Sequence, residues 1–185
     1  TVSFNGTDQR MYAPLPITYP ITMSARVNTL FEDEGAAVSI GDKNSGSSYS
    51  SLYIRDDGRE VLMRRFHGTV RDSSTYAITR QSWYAYNMVL VSQTLAHLYF
   101  NGVLVATDNT DAGGGTIDRL SLGVTADSTP GSYAEVIVAD PMIHNRVLSL
   151  PEIQLLAPPD PMLDGWIQPI NTTTYSFPIS TCDVN

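Results

Sequence analysis

Carboxylates, histidines and tyrosines are the side chains here that could carry chemistry, and their spacing decides which kind. Hydrolysis of a glycosidic bond needs two carboxyl groups facing one cleft, and carboxylates on one strand share a face only at even separations. Glu32-Asp33-Glu34 is contiguous and sits beside Gly35 in a stretch that reads as a turn, whereas Glu135 and Asp140 are an odd number of positions apart. Neither set suits a cleft on a regular strand, and solvated turn carboxylates are the expectation. His67, His97 and His144 fall in different strands or turns, and neither an H-x-x-x-H spacing nor a G-x-S-x-G elbow occurs. His97 in LAHLYF points away from Leu98 and Phe100 and reads as a surface histidine. Asp108-Asn109-Thr110-Asp111 clusters hard oxygen donors of the kind calcium takes, although short acidic loops ordinarily just solvate a turn. Tyr49, Tyr53, Tyr76 and Tyr84 could form an aromatic platform for a sugar, yet tyrosines in a β-protein more often line core rims and interfaces. No catalytic, metal or cofactor residue is assigned on these grounds.

Charge narrows the partners further. A net charge of −8, with Arg64-Arg65 the one local basic pair, disfavours nucleic acid and anionic membranes. No apolar run approaches the ~20 residues that span a bilayer. The start at Thr1, without a basic and then apolar leader, leads us to expect a chain made in the cytoplasm. One cysteine, Cys182, allows no disulfide framework.

The elements that must position these side chains are strands. In ITMSARV (21–27), Ile21, Met23, Ala25 and Val27 share one face, while Thr22, Ser24 and Arg26 share the other, which predicts a strand with one wet side. Similar runs occupy 36–40, 50–55, 59–66, 84–92, 95–100, 103–107, 119–124 and 133–144. Asn101-Gly102 predicts a two-residue type I′ hairpin turn, pairing 98–100 with 103–105. YAYNMVLV is apolar enough to be buried on both sides. The predicted core holds Trp83, Met88, Leu90, Leu98, Phe100, Leu120, Leu122, Val136 and Val138. One short helix is predicted over 148–157, with Ser149 as cap, Pro151 early and Glu152 in the first turn. Many short strands and one helix predict an all-β antiparallel sandwich.

The hairpin segment WYAYNMVLV…HLYFNGVLVAT resembles the central signature of laminin-G-like, concanavalin A-like jelly rolls. VSFNGTD with PITMSARV resembles that family's first strands, and AEVIVADPMIHNRVLSLPEIQLL resembles its last strand and closing helix. The resemblance spans residues 2–157 and implies a jelly-roll domain over 1–157, followed by a Pro-bounded C-terminal arm over 158–185. Glucanases of this fold carry an E-x-D-x-E array on one strand. No such array exists here, so an enzyme is not expected.

The style of the chain, including FNGTDQRMY and PITMSA, also resembles jelly-roll proteins on tailed-phage virions. That implies a capsid decoration, cement or fibre protein, assembled in the host cytoplasm into a virion as a homo-oligomer or on the major capsid protein. Leu163, Trp166, Ile167, Ile170, Tyr175, Phe177 and Ile179 make the arm too apolar to dangle in water, and we expect them to grip a neighbouring subunit. The alternative is a carbohydrate-binding, lectin-like module.

Overall fold

The computed structural model describes residues 1–30, 34–46, 48–55, 60–67, 70–73, 75–110, 116–157 and 182–183. The strands are β1 (Val2–Asn5), β2 (Arg10–Ile17), β3 (Ile21–Thr29), β4 (Gly35–Gly41), β5 (Ser48–Arg55), β6 (Glu60–His67), β7 (Val70–Asp72) and β8 (Tyr76–Ala77). They continue as β9 (Trp83–Ser92), β10 (Leu95–Phe100), β11 (Val103–Asp108), β12 (Ile117–Leu122) and β13 (Glu135–His144). The helix α1 (Leu150–Leu155) and the strand β14 (Cys182–Asp183) close the order. One sheet runs β1-β13-β3-β9-β10-β11 and the other β14-β2-β12-β4-β5-β6-β7, with β8 against β6. Every pairing of these strands is antiparallel. The expected sandwich is therefore present. No helix among the described residues is long and apolar enough to cross a membrane.

Alternation builds the core. Met23, Ala25 and Val27 of β3 join Tyr86, Met88 and Leu90 of β9, Leu98 and Phe100 of β10, and Val136 and Val138 of β13. They pack with Leu15, Ile40, Leu52, Met63, Leu120 and Leu122 of the second sheet in one apolar cluster. Full burial of each large side chain contributes roughly 1.5–3 kcal/mol. Asn101 (φ 47°) and Gly102 (φ 78°) form the predicted hairpin turn, with Phe100 opposite Val103.

Two expectations change. Trp83 is 40% exposed, because the first residue of β9 pairs with Asn28 at the end of the sheet and its ring meets the Arg26 guanidinium at 5.9 Å instead of the core. The side of β3 expected to be wet is buried at Thr22 and Ser24. The segment after β13 covers it: Thr22 Oγ1 donates to the Arg146 carbonyl at 2.8 Å and accepts the Leu148 N–H at 3.1 Å. Ser24 Oγ bonds Asn87 Oδ1 at 2.7 Å, so both hydroxyls keep partners away from water. Leu148 and Ile153 then pack on Val89, which places α1 on this sheet.

The helix is shorter than the sequence pattern, six residues. Glu152 fixes its start by accepting from the Ser149 N–H and Oγ–H, both at 2.8 Å. Prolines 14 and 16 did not prevent β2 from forming, because both are exposed near the sheet edge, where, among the described residues, β14 pairs with Met11 and Arg10.

Candidate functional site

Tyrosine, arginine and serine dominate the outer face of the second sheet. Strand register sets Tyr12, Ser121, Ser39, Ser51, Arg64 and Asp72 in one row across β2, β12, β4, β5, β6 and β7. Its middle is small because the connection from β12 to β13 lies in it. The Ala126 N–H donates to Ser39 Oγ at 3.1 Å, and a Cβ on Gly41 would stand 2.6 Å from the Ala126 carbonyl oxygen. Glycine is required at 41 for that close approach.

The groups flanking this filled strip are committed to one another. Arg64 makes a two-pronged pair with Asp72 at 2.8 and 2.9 Å and lies 3.6 Å over the Tyr53 ring. Tyr53 is buried, and burial pushes the nearby Tyr49 phenol up to about 12. On the other flank, Arg119 lies 4.6 Å over Tyr12 and donates to the Asp127 carbonyl at 2.7 Å. Tyr76 and Tyr84 stack on Phe100, at 4.5 and 4.7 Å between ring centres. The four tyrosines weighed as a sugar platform are thus divided between two places, Tyr49 and Tyr53 near Arg64 and Tyr76 and Tyr84 against Phe100.

The carboxylates and histidines are also dispersed. Glu32, Asp33 and Asp111 lie outside the described residues, as does the side chain of His67. Glu34 stands 3.6 Å from Arg64, and Asp140 accepts the Arg26 Nε–H at 2.8 Å from a bulge in β13. His97 Nδ1 meets Thr107 Oγ1 at 3.0 Å. Burial and then Arg146 push the buried His144 below its usual value.

Arg65 takes Asp108, the first residue of the acidic loop weighed as a calcium site. Period two aligns Arg65 with the inward Val61 and Met63, and it is 0% exposed. Its guanidinium crosses to the other sheet, where Nη1 donates to Asp108 Oδ2 at 3.1 Å and to the Thr110 carbonyl at 3.2 Å, and Nη2 to the Gln93 carbonyl. Burial pushes the Asp108 carboxyl up, but bonds from Thr110 and the charge of Arg65 outweigh it and hold it below the usual range. A guanidinium 3.1 Å from the carboxylate repels a cation at that position. Among the described residues, no group of three His, Cys, Asp or Glu side chains is placed to hold a metal.

The same end of the sandwich contains an open cleft of about 660 Å3, lined by Ile17, Thr18, Tyr19, Ser92, Gln93, Thr94, Thr116 and Ile117. Ile17 and Ile117 are cross-strand partners and give it an apolar element. Thr18 and Tyr19 come from the β2–β3 turn, Ser92 from the end of β9, and Gln93 and Thr94 from the β9–β10 turn. Four hydroxyl-bearing Ser and Thr side chains, one amide and one phenol line it, with no charged side chain among the described residues. Sequence reasoning missed this cleft, since turn hydroxyls are common and only the fold brings these three connections together. The arm residues Leu163, Trp166, Ile167, Ile170, Tyr175, Phe177 and Ile179 lie outside the described residues. Beyond them, Cys182 and Asp183 pair with β2 of their own chain.

Known structures share this architecture. The native heptameric SAP-like pentraxin from Limulus polyphemus superposes with a TM-score of 0.66 at 17% identity, over 82% of this chain and 78% of the pentraxin. Domain 4 of AbnA, a GH43 extracellular arabinanase from Geobacillus stearothermophilus, in complex with arabinotriose, gives 0.61 at 17%, over 78% and 71%. The Ruminococcus gnavus IT-sialidase CBM40 bound to α2,3-sialyllactose gives 0.63 at 15%, over 85% and 97%. At these identities the likeness is one of fold. No curated protein sequence matches the chain. The family model described as the concanavalin A-like lectin/glucanases superfamily matches residues 5–154, and the chain belongs to that superfamily.

Proposed function

We propose that this lectin-like jelly roll is a non-catalytic carbohydrate-recognition domain and that the end cleft is its binding site. The observation that carries this reading is the lining itself: hydroxyls and an amide beside two isoleucines and a tyrosine. Hydroxyl and amide groups donate and accept, as sugar hydroxyls do, and the apolar side chains suit the C–H faces of a ring. A volume of about 660 Å3 lies within the ~300–1,000 Å3 range of small-molecule sites. Two structural neighbours were determined with oligosaccharides, which supports the reading at the level of fold. No carboxylate lines the cleft among the described residues, so the acid–base pair of a glycosidase is not available there. Glycan-array binding that is lost in the Gln93→Ala, Thr94→Val double variant supports the proposal; an array blank for the parent protein ends it.

We also carry a second reading, the virion decoration or fibre subunit, which rests on the apolar sequence of the arm. Cys182–Asp183 pairs with β2 of its own chain, so this reading requires a neighbouring copy to supply that strand in trans. Its test is the solution mass with and without residues 160–185. An oligomer that dissociates on truncation is expected, and an unchanged mass contradicts it.

A further inference from the structure

We infer that the end cleft selects uncharged sugar residues and discriminates against acidic ones. This rests on the carbohydrate reading above and adds a ligand class to it.

The argument begins with Arg65. An acidic sugar brings a carboxylate that only accepts hydrogen bonds, and taking it out of water is costly without a cation or several donors aimed at it. The cleft wall does contain a cation in its foundations, because Arg65 bonds the Gln93 carbonyl in the β9–β10 turn. That charge is already committed. Arg65 is fully buried, its partner Asp108 is nearly so, and the remaining Nη1 bond goes to the Thr110 carbonyl. Releasing the guanidinium towards a ligand would leave the Asp108 carboxylate with its Thr110 bonds but no counter-charge, which opposes that release.

Among the described residues, no arginine side chain lines the cleft. Arg64 and Arg119 occupy the outer face of the second sheet and are held by Asp72 and by the Asp127 carbonyl. The chain as a whole carries a charge of −8, so an approaching carboxylate meets repulsion at low salt. An uncharged sugar meets none of these costs. Its hydroxyls can exchange bonds with Thr18, Thr116 and the Gln93 amide, and with the remaining capacity of the Ser92 and Thr94 hydroxyls, which bond each other at 3.2 Å.

Arg65 also explains why the turn can be selective without being charged. By bonding the Gln93 and Thr110 carbonyls at once, the guanidinium ties the β9–β10 turn to the chain that leaves β11. The hydroxyl and amide groups above it are thereby held on a fixed backbone, which lowers the ordering cost of binding.

The experiment titrates the full chain by calorimetry with matched glycans, lactose against α2,3-sialyllactose and arabinotriose against a galacturonic acid trimer, at two salt concentrations. The neutral member of each pair is expected to bind at least tenfold more tightly, and Gln93→Ala is expected to weaken it by roughly 3–10-fold, the effect of one neutral hydrogen bond. Thr94→Lys, which places a cation on the rim, should narrow the gap between neutral and acidic members. Acidic glycans binding as tightly as neutral ones, with the same sensitivity to Gln93→Ala, would overturn the charge preference while leaving the cleft as the site. Binding of neither class would remove this inference together with the reading beneath it.

Discussion

Arg65 and Asp108 form a pair in which neither side chain can be removed alone without stranding the other. Arg65→Ala leaves a buried carboxylate, and we expect a loss of about 3–5 kcal/mol in urea unfolding. Replacing both, as Arg65→Met with Asp108→Leu, should recover more than half of that loss; an equal loss in both variants would show that the pair itself is not the cause. Period two puts Arg65 on the face of Val61 and Met63, but the opposite face offers Leu62 and Phe66, so its inward direction was not legible in the sequence. Nor were its partners, because they stand 28 to 45 positions away along the chain. Glu152 makes a different residue-scale prediction. Bonds from Arg146 first and Ser149 next lower its carboxyl from 4.5 to about 2. A depressed folded value means that its stabilising effect is complete above about pH 4.5 and is lost as pH falls towards 2. Glu152→Gln should therefore lower the melting temperature at pH 7 and show a shallower decline between pH 5 and 2.5 than the parent. Parallel curves for the two proteins would contradict this.

Strands were the most readable elements: alternation survives through β10 and the start of β13, where one face meets the core, and the apolar run of β9 is buried on both faces over residues 85–90. Leu98→Ala, at a fully buried position in β10, should cost about 2–5 kcal/mol, measured by chemical denaturation. The type I′ turn was equally legible from Asn101-Gly102. The β12–β13 connection was not, because nothing local shows that a loop will settle into a row of serines on a sheet face. The sequence shows Ser39, Ser51 and Ser121 beside apolar neighbours, and only the fold shows that these outward positions are buried. Gly41→Ala tests this layer directly, since its Cβ would meet the Ser48 and Ala126 carbonyl oxygens at 2.5 and 2.6 Å. Both are backbone atoms, so the loop must move. We expect faster amide exchange over residues 124–127 and a lower melting temperature, whereas unchanged exchange would show that the loop does not rest on β4. The wet side assigned to β3 failed for the related reason that the segment after β13 covers it.

At the scale of the whole molecule, the two sheets enclose one apolar core and leave the ends to the connections. That division explains why fold was far more legible than function. Hydrophobic alternation is written into each strand, whereas the cleft exists only because three turns distant in sequence meet at one end. The outer sheet face, with its tyrosines and arginines, is the natural rival for a binding role, and its side chains are already bonded to one another. Residue-resolved NMR during titration with a neutral oligosaccharide separates the two surfaces in one experiment. The account predicts saturable shifts of the Thr18, Tyr19 and Ser92–Thr94 amides, with Tyr12, Tyr49 and Arg64 unmoved. Shifts confined to the outer face, or none at any residue, would contradict it.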